Sequence, residues 1–212
     1  MTAQAPTFVT RDGVDYITFP PPRPVYRAMK YTNAKSLIET GELHLGLIDI
    51  YLRHEAKTLG KHDPNEGTAI VLIDGAPCKA WGLLHKYVFC TSGGRADQGR
   101  LLQLDRNYDT IVRISDSHEF AVRILEATKT FASSYQVECG PVAYNKGKVS
   151  VTRQEFETNT AYWYTFQKDD CFAWQDEVRF AVTDLGHQCL HNEENRLVLT
   201  LGCCRKLVQI VR

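Results

Sequence analysis

The stretch Cys171-Phe172-Ala173-Trp174-Gln175-Asp176-Glu177-Val178-Arg179-Phe180-Ala181-Val182 constrains the fold more than any other. From Glu177 onward the positions alternate, with Val178, Phe180 and Val182 on one face and Glu177, Arg179 and Ala181 on the other, the period of a β-strand. An acidic, aromatic loop leads into it. If the strand already includes Gln175, its amide and the Glu177 carboxylate lie two residues apart and point the same way. The same pattern also fits a half-exposed strand whose Glu177 and Arg179 decorate a wet face, so the rest of the chain has to decide what these groups do.

Nothing in the 212 residues divides the chain, and 43% of them are hydrophobic, enough for one sizeable core. A single α+β domain over residues 1–212 is expected, with residues 1–24 as a partly ordered lead-in. Lys plus Arg and Asp plus Glu both number 25, so no net charge steers the chain toward nucleic acid. No apolar run is long enough for a membrane span. The start, MTAQAPTFVTRDG, lacks a secretory apolar region. The seven cysteines form an odd set without a CxxC pair, the pattern of reduced thiols. A cytoplasmic location away from membranes is therefore expected.

In chain order, Val14–Phe19 reads as an edge strand, after which Pro20, Pro21, Pro22 and Pro24 interrupt regular structure. Val25–Met29 resumes as a strand. Thr32 or Asn33 is expected to cap a helix to about Glu42, and a second helix is expected from about Leu47 to Leu59. Residues 60–67 read as a solvated turn despite His62, Asp63 and Glu66, with His54 just upstream. Strands follow at Ala69–Ile73, Leu83–Cys90 and Tyr108–Ile114. Asp116 with Glu119 opens a helix reaching about Ser133, and Thr152 with Glu155 opens a short one. The last third reads as strands at Phe180–Thr183, Arg196–Gly202 and Lys206–Arg212, which makes the chain helix-rich early and strand-rich late.

Several polar groups carry chemistry in this frame. Arg27 is a fork of donors suited to a phosphate or carboxylate, or else a surface arginine covering apolar area with its stem. Thr91-Ser92-Gly93-Gly94 combines hydroxyls with glycines that permit close backbone approach, or is simply a turn. Arg95, Arg100 and Arg106 interleave with Asp97, Asp105 and Asp109, which argues against a continuous nucleic-acid track. His187, Cys189 and His191 would share one face of a strand, but match no standard zinc spacing. The aromatic run around Tyr162, Trp163 and Tyr164 fills a core, or lends one ring to a pocket for a planar ligand.

If Arg27, Ser92 and Glu177 converge from separate strands on one cleft, the arginine can hold a pyrophosphate or an adjacent carboxylate, and Ser92 can orient a ribose or Glu177. Glu177 can then stabilise the oxocarbenium-like ribose left by a departing nicotinamide. Gln175 would present a hydrogen bond to the incoming nucleophile. With Tyr26-Arg27, Thr91-Ser92-Gly93 and Gln175-Asp176-Glu177 in that order, the chain resembles the arginine, serine, glutamate branch of the ADP-ribosyltransferases. That resemblance implies a split β-sandwich with NAD+ in its cleft. It implies cofactor support from Tyr26, Arg27, Thr91 and Ser92 with stacking by Tyr162 or Trp163, transfer at Glu177 with Gln175, and a macromolecular acceptor, protein or nucleic acid. Thr91-Ser92-Gly93 departs from the family's Ser-Thr-Ser, and the interval from Ser92 to Glu177 requires an insertion. The late Trp174, Glu177 and Arg179 are also similar to a pattern in small bacterial and phage-defence proteins.

Two other readings compete. In one, the polar residues are salt-bridged sheet decoration in a non-enzymatic interaction or ligand-binding module. In the other, Asp169, Asp170, Asp176 and Glu177 serve a metal-dependent phosphate hydrolase or nuclease. Geometry discriminates: Arg27, Ser92 and Glu177 lining one cleft favours transfer, and Arg27 and Glu177 on opposite faces removes that reading.

Overall fold

The computed structural model describes residues 7–11, 14–18, 24–48, 67–81, 86–131, 135–158, 164–185 and 196–211. Among them, strands dominate from the start. A hairpin of β1 (Thr7–Arg11) and β2 (Val14–Thr18) precedes β3 (Val25–Met29), and after the helix Tyr31–Glu39 come β4 (Glu42–Leu47), β5 (Thr68–Ile73), β6 (Ala76–Trp81) and β7 (Lys86–Ser92). The helix Gln98–Gln103 leads to β8 (Thr110–Ile114), and the helix Ser117–Thr128 to β9 (Tyr135–Pro141), β10 (Ala143–Tyr144) and β11 (Ser150–Val151). Then come the helix Arg153–Thr158, β12 (Gln167–Lys168), a 3-10 turn at Asp170–Gln175, β13 (Glu177–Asp184), β14 (Arg196–Thr200) and β15 (Val208–Ile210).

The main sheet runs β1-β2-β9-β13-β7-β3-β8-β15, with β4 joined to β7 and β14 joined to β4. Its pairings are antiparallel except β2 with β9. Two smaller sheets combine β5, β6 and β11, and β10 with β12. The fold is therefore mixed, with helices and several sheets. Part of the expected lead-in is sheet: Ile17 and Thr18 of β2 pair with Glu138 and Cys139.

β7 is where the main sheet forks. Tyr87 and Val88 pair with Leu47 and Gly46 of β4, whereas Ser92 pairs with Tyr26 of β3. Between those points residues 89–91 have no registered partner on that edge among the described residues. One face of the sheet carries the largest core, where Val178, Phe180 and Val182 pack with Tyr87, Phe89 and the helix bearing Phe120 and Ile124. The rings of Phe89, Phe120 and Phe180 have centroids 5.1–6.3 Å apart, in tilted and edge contacts. The other face is not wet. Ala181 and Val88 pack there with Phe166 and Ile48, and β13 is buried at every position. The expected decoration of a solvated face is thus corrected.

Local chemistry explains most boundaries. Asp116 caps its helix as expected, its Oδ1 accepting from the amides of His118 and Glu119 at 2.9 Å each. Asp116→Ala is expected to cost about 1 kcal/mol, read as a lower thermal midpoint with unchanged far-ultraviolet dichroism. Thr152 and Glu155 likewise form their capping box, in which Glu155 Oε2 accepts from the Thr152 amide at 2.8 Å and Thr152 Oγ1 accepts from the Glu155 amide at 3.2 Å.

The first helix starts earlier than expected, at Tyr31. Its amide donates to Asp109 Oδ1 at 2.7 Å, so a remote carboxylate replaces the Thr32 or Asn33 cap. The helix ends before Gly41, which has φ 76° and lies so close to Gly202 that an added Cβ would meet its carbonyl oxygen at 2.1 Å. The strand β4 was absent from the sequence expectations, although Leu43, Leu45 and Leu47 are buried in alternation with exposed Glu42 and His44. The helix Gln98–Gln103 was also unanticipated; Asp97 caps it by accepting from the amides of Gly99 and Arg100. The expected helix Leu47–Leu59 and the turn at 60–67 fall mostly outside the described residues.

Candidate functional site

The register brings one residue from each of the three singled-out stretches onto one face. Tyr26 pairs with Ser92, and Ser92 pairs with Glu177, on the adjacent strands β3, β7 and β13. Residues directly opposite in antiparallel strands project to the same side, so Tyr26, Ser92 and Glu177 form one transverse row. Ser92 and Glu177 are 6% and 5% exposed.

Glu177 is held on both oxygens. Oε1 accepts from Arg179 Nε at 2.7 Å, and Oε2 accepts from Lys168 Nζ at 2.9 Å. Cys90, opposite Arg179 on β7, projects to the same face. Burial pushes the carboxyl up, but Arg179 and Lys168 together outweigh it and hold it well below the usual carboxylate range. The sign of the linked stability follows. A depressed folded pKa stabilises fully above the ordinary value of 4.5, and that contribution is lost as pH falls through the folded value. Stability should therefore be flat down to about pH 5 and then decline. In Glu177→Gln the acid decline should be shallower, as measured by urea midpoints across pH.

Gln175 is not in the strand. It ends the 3-10 turn, and Asp176 follows in the left-handed region with φ 43°, a conformation aspartate tolerates better than most residues. The strict two-residue alternation expected for Gln175 and Glu177 is thereby broken. The two side chains still meet, because Lys168 Nζ donates to Gln175 Oε1 at 2.9 Å as well as to Glu177. Asp176 ties this entrance to the Ser92 corner. Its carbonyl accepts from the Gly93 amide at 2.6 Å, and its carboxylate accepts from the Arg95 amide and guanidinium at 3.1 and 2.7 Å.

Arg27 and Thr91 leave their strands on the other side. Arg27 is opposite Val112, between Val25 and Met29, all three in the largest core. Its guanidinium lies where β3 and β4 part: Nη1 donates to the Cys90 carbonyl at 2.6 Å, and the group is 5.4 Å from the Phe89 ring and 5.8 Å from that of Tyr108. It supplies a donor to a carbonyl that the fork leaves without a strand partner. Arg27 and Glu177 thus stand on opposite faces of the main sheet, so the cleft lined by Arg27, Ser92 and Glu177 that the transfer reading requires is not formed. Thr91 Oγ1 donates to the Val178 carbonyl at 2.7 Å, on the face opposite Ser92. Tyr162 and Trp163 lie outside the described residues.

Around this row the sheet face carries a wider buried network. Arg179, 1% exposed, donates through Nη1 to the Thr165 carbonyl at 2.5 Å. The Thr165 hydroxyl accepts from Lys86 Nζ at 2.8 Å, and Lys86 is 3.7 Å from the buried Glu138. Burial lowers the Lys86 pKa and raises that of Glu138, so desolvation weakens the charge on both. The Glu177 amide donates to Tyr144 Oη at 2.7 Å, and burial followed by the charge of Glu177 keeps that phenol protonated. Burial and then Glu177 also push the Cys90 thiol up to about 12.

Within the acidic group of Asp169, Asp170, Asp176 and Glu177, the last three are in separate ion pairs, with Lys148 on Asp170, Arg95 on Asp176, and Lys168 and Arg179 on Glu177. Among the described residues no group of three or more His, Cys, Asp or Glu is arranged to hold a metal ion. His187, Cys189 and His191 lie outside them. Also among the described residues, no helix is long and apolar enough to cross a membrane. Sequence reasoning missed Lys168, Cys90 and Tyr144. Arg179 was legible as a same-face neighbour of Glu177, but nothing marked a lysine nine positions upstream. No family model, curated protein or solved structure matches the chain.

Proposed function

We propose that the chain is a non-enzymatic interaction or ligand-binding module whose buried polar groups hold its main sheet together. The observation that carries this reading is that Arg27 leaves β3 on the face opposite Glu177, away from the shared cleft that a transfer site requires. Lys168 and Arg179 engage both Glu177 oxygens, and Arg27 Nη1 donates to the Cys90 carbonyl, so these polar groups serve the sheet. The test is nicotinamide release from NAD+ by the purified protein, with and without cell lysate, for the parent and for Glu177→Gln. No release is expected in any arm, and release that is lost in Glu177→Gln overturns the reading.

A further inference from the structure

β14 ends one branch of the main sheet. Among the described residues its only strand partner is β4, in full register from Arg196 opposite Gly46 to Thr200 opposite Glu42. The Leu201 amide donates to the Gly41 carbonyl at 2.9 Å in the same register, which fixes the parity of the ladder. Leu197, Leu199 and Leu201 turn their amides and carbonyls to β4, so those of Arg196, Val198 and Thr200 face the outer edge.

Proteins commonly blunt such an edge with proline, lysine, a bulge or a very short strand. The sequence Arg-Leu-Val-Leu-Thr has no proline or lysine, and its pairing with β4 has no bulge. The edge at β15 differs, since that strand has three residues and its Val208 amide is bonded to the Cys204 carbonyl at 2.8 Å. Along β14 the side chains alternate about Val198. Leu197 and Leu199 lie in the largest core, whereas Val198 is 37% exposed between exposed Arg196 and Thr200.

That pattern is symmetric, so it complements a second copy of itself. In two β14 strands running antiparallel with Val198 on a two-fold axis, every outward group finds a partner. Val198 lies opposite Val198 of the second copy, and Arg196 lies opposite Thr200 of the second copy. The leucines stay on the buried face, and the exposed valines meet across the axis. Charge is complementary as well. Thr200 lies beside Glu42 in its own sheet, which puts Arg196 of the second copy on the row of Glu42, about 10 Å away across one strand. An arginine and a glutamate side chain together span that distance.

We propose that β14 is a self-association edge, through which two copies of the chain join their main sheets antiparallel about Val198. This goes beyond the binding-module reading and does not depend on it. One strand pair makes a small interface, so the dimer is weak and concentration-dependent.

The experiment is sedimentation of the full chain under reducing conditions from about 1 μM to 1 mM. The mass should rise from one chain toward two. Val198→Lys puts like charges opposite one another and should weaken the dimer at least about tenfold, with the melting midpoint of the dilute chain unchanged because Val198 is exposed. Val198→Cys should give a disulfide-linked dimer on mild oxidation, since directly opposite, hydrogen-bonded residues have Cα atoms about 5.5 Å apart. The parent oxidised in the same way controls for the native cysteines. A mass that stays at one chain throughout overturns the inference. A dimer that Val198→Lys leaves as tight, or that Val198→Cys does not link beyond the level of the parent, places the contact elsewhere and overturns it as well.

Discussion

Arg179→Met is expected to melt roughly 6–20 °C below the parent, the equivalent of about 3–5 kcal/mol. Arg179 is among the largest fully buried side chains. It binds Glu177 Oε1 through Nε and the Thr165 carbonyl through Nη1, so one guanidinium joins β13 to the segment that covers it. Methionine fills much of the volume but leaves the carboxylate with Lys168 alone and the carbonyl without this donor. Removing one partner of a buried pair exposes the full desolvation cost of the other. Arg179→Lys should fall between, because a single ammonium cannot reproduce two divergent donors. Replacing Lys168, Glu177 and Arg179 together by Met, Leu and Met should recover much of the loss, since buried ion pairs exchanged whole for apolar groups are often neutral. A single variant melting within about 2 °C of the parent would mean that this network does not hold the covering segment in place.

The same network explains which parts of the molecule were legible in the sequence. Features that depend on near neighbours were readable. The strand at Val25–Met29 and the caps at Asp116 and Thr152 follow from local alternation and spacing. β4 was readable too, through Leu43, Leu45 and Leu47, but the apolar residues beyond it suggested a helix and drew the boundary to the wrong place. Features that depend on which segment lies over which face were not readable. Glu177 and Arg179 carry the pattern of a wet strand face, and only the burial of Thr165, Phe166 and Lys168 over them makes that face an interior. Arg27 shows the limit most clearly. Alternation fixes the side of the strand it leaves from, while the fork that receives its guanidinium arises from β7 changing partners between β4 and β3. That change lies in pairings between strands far apart in the chain, outside the reach of a local pattern.

Glu177→Gln is expected to melt roughly 6–20 °C below the parent, by the same logic as Arg179→Met. The amide keeps the shape of the carboxylate but takes away the charge shared by Lys168 and Arg179, so two buried cations lose their common counter-ion. Nicotinamide release from NAD+ is expected to be absent from the parent and from both variants. If the parent releases nicotinamide and the folded glutamine variant does so about 10²–10³-fold more slowly while Arg179→Met remains active, the buried carboxylate acts on a ribose and the binding-module reading is overturned. If no protein releases nicotinamide and both variants lose stability, the ion pairs serve the fold, and the carboxylate is there to hold Lys168 and Arg179 over the sheet.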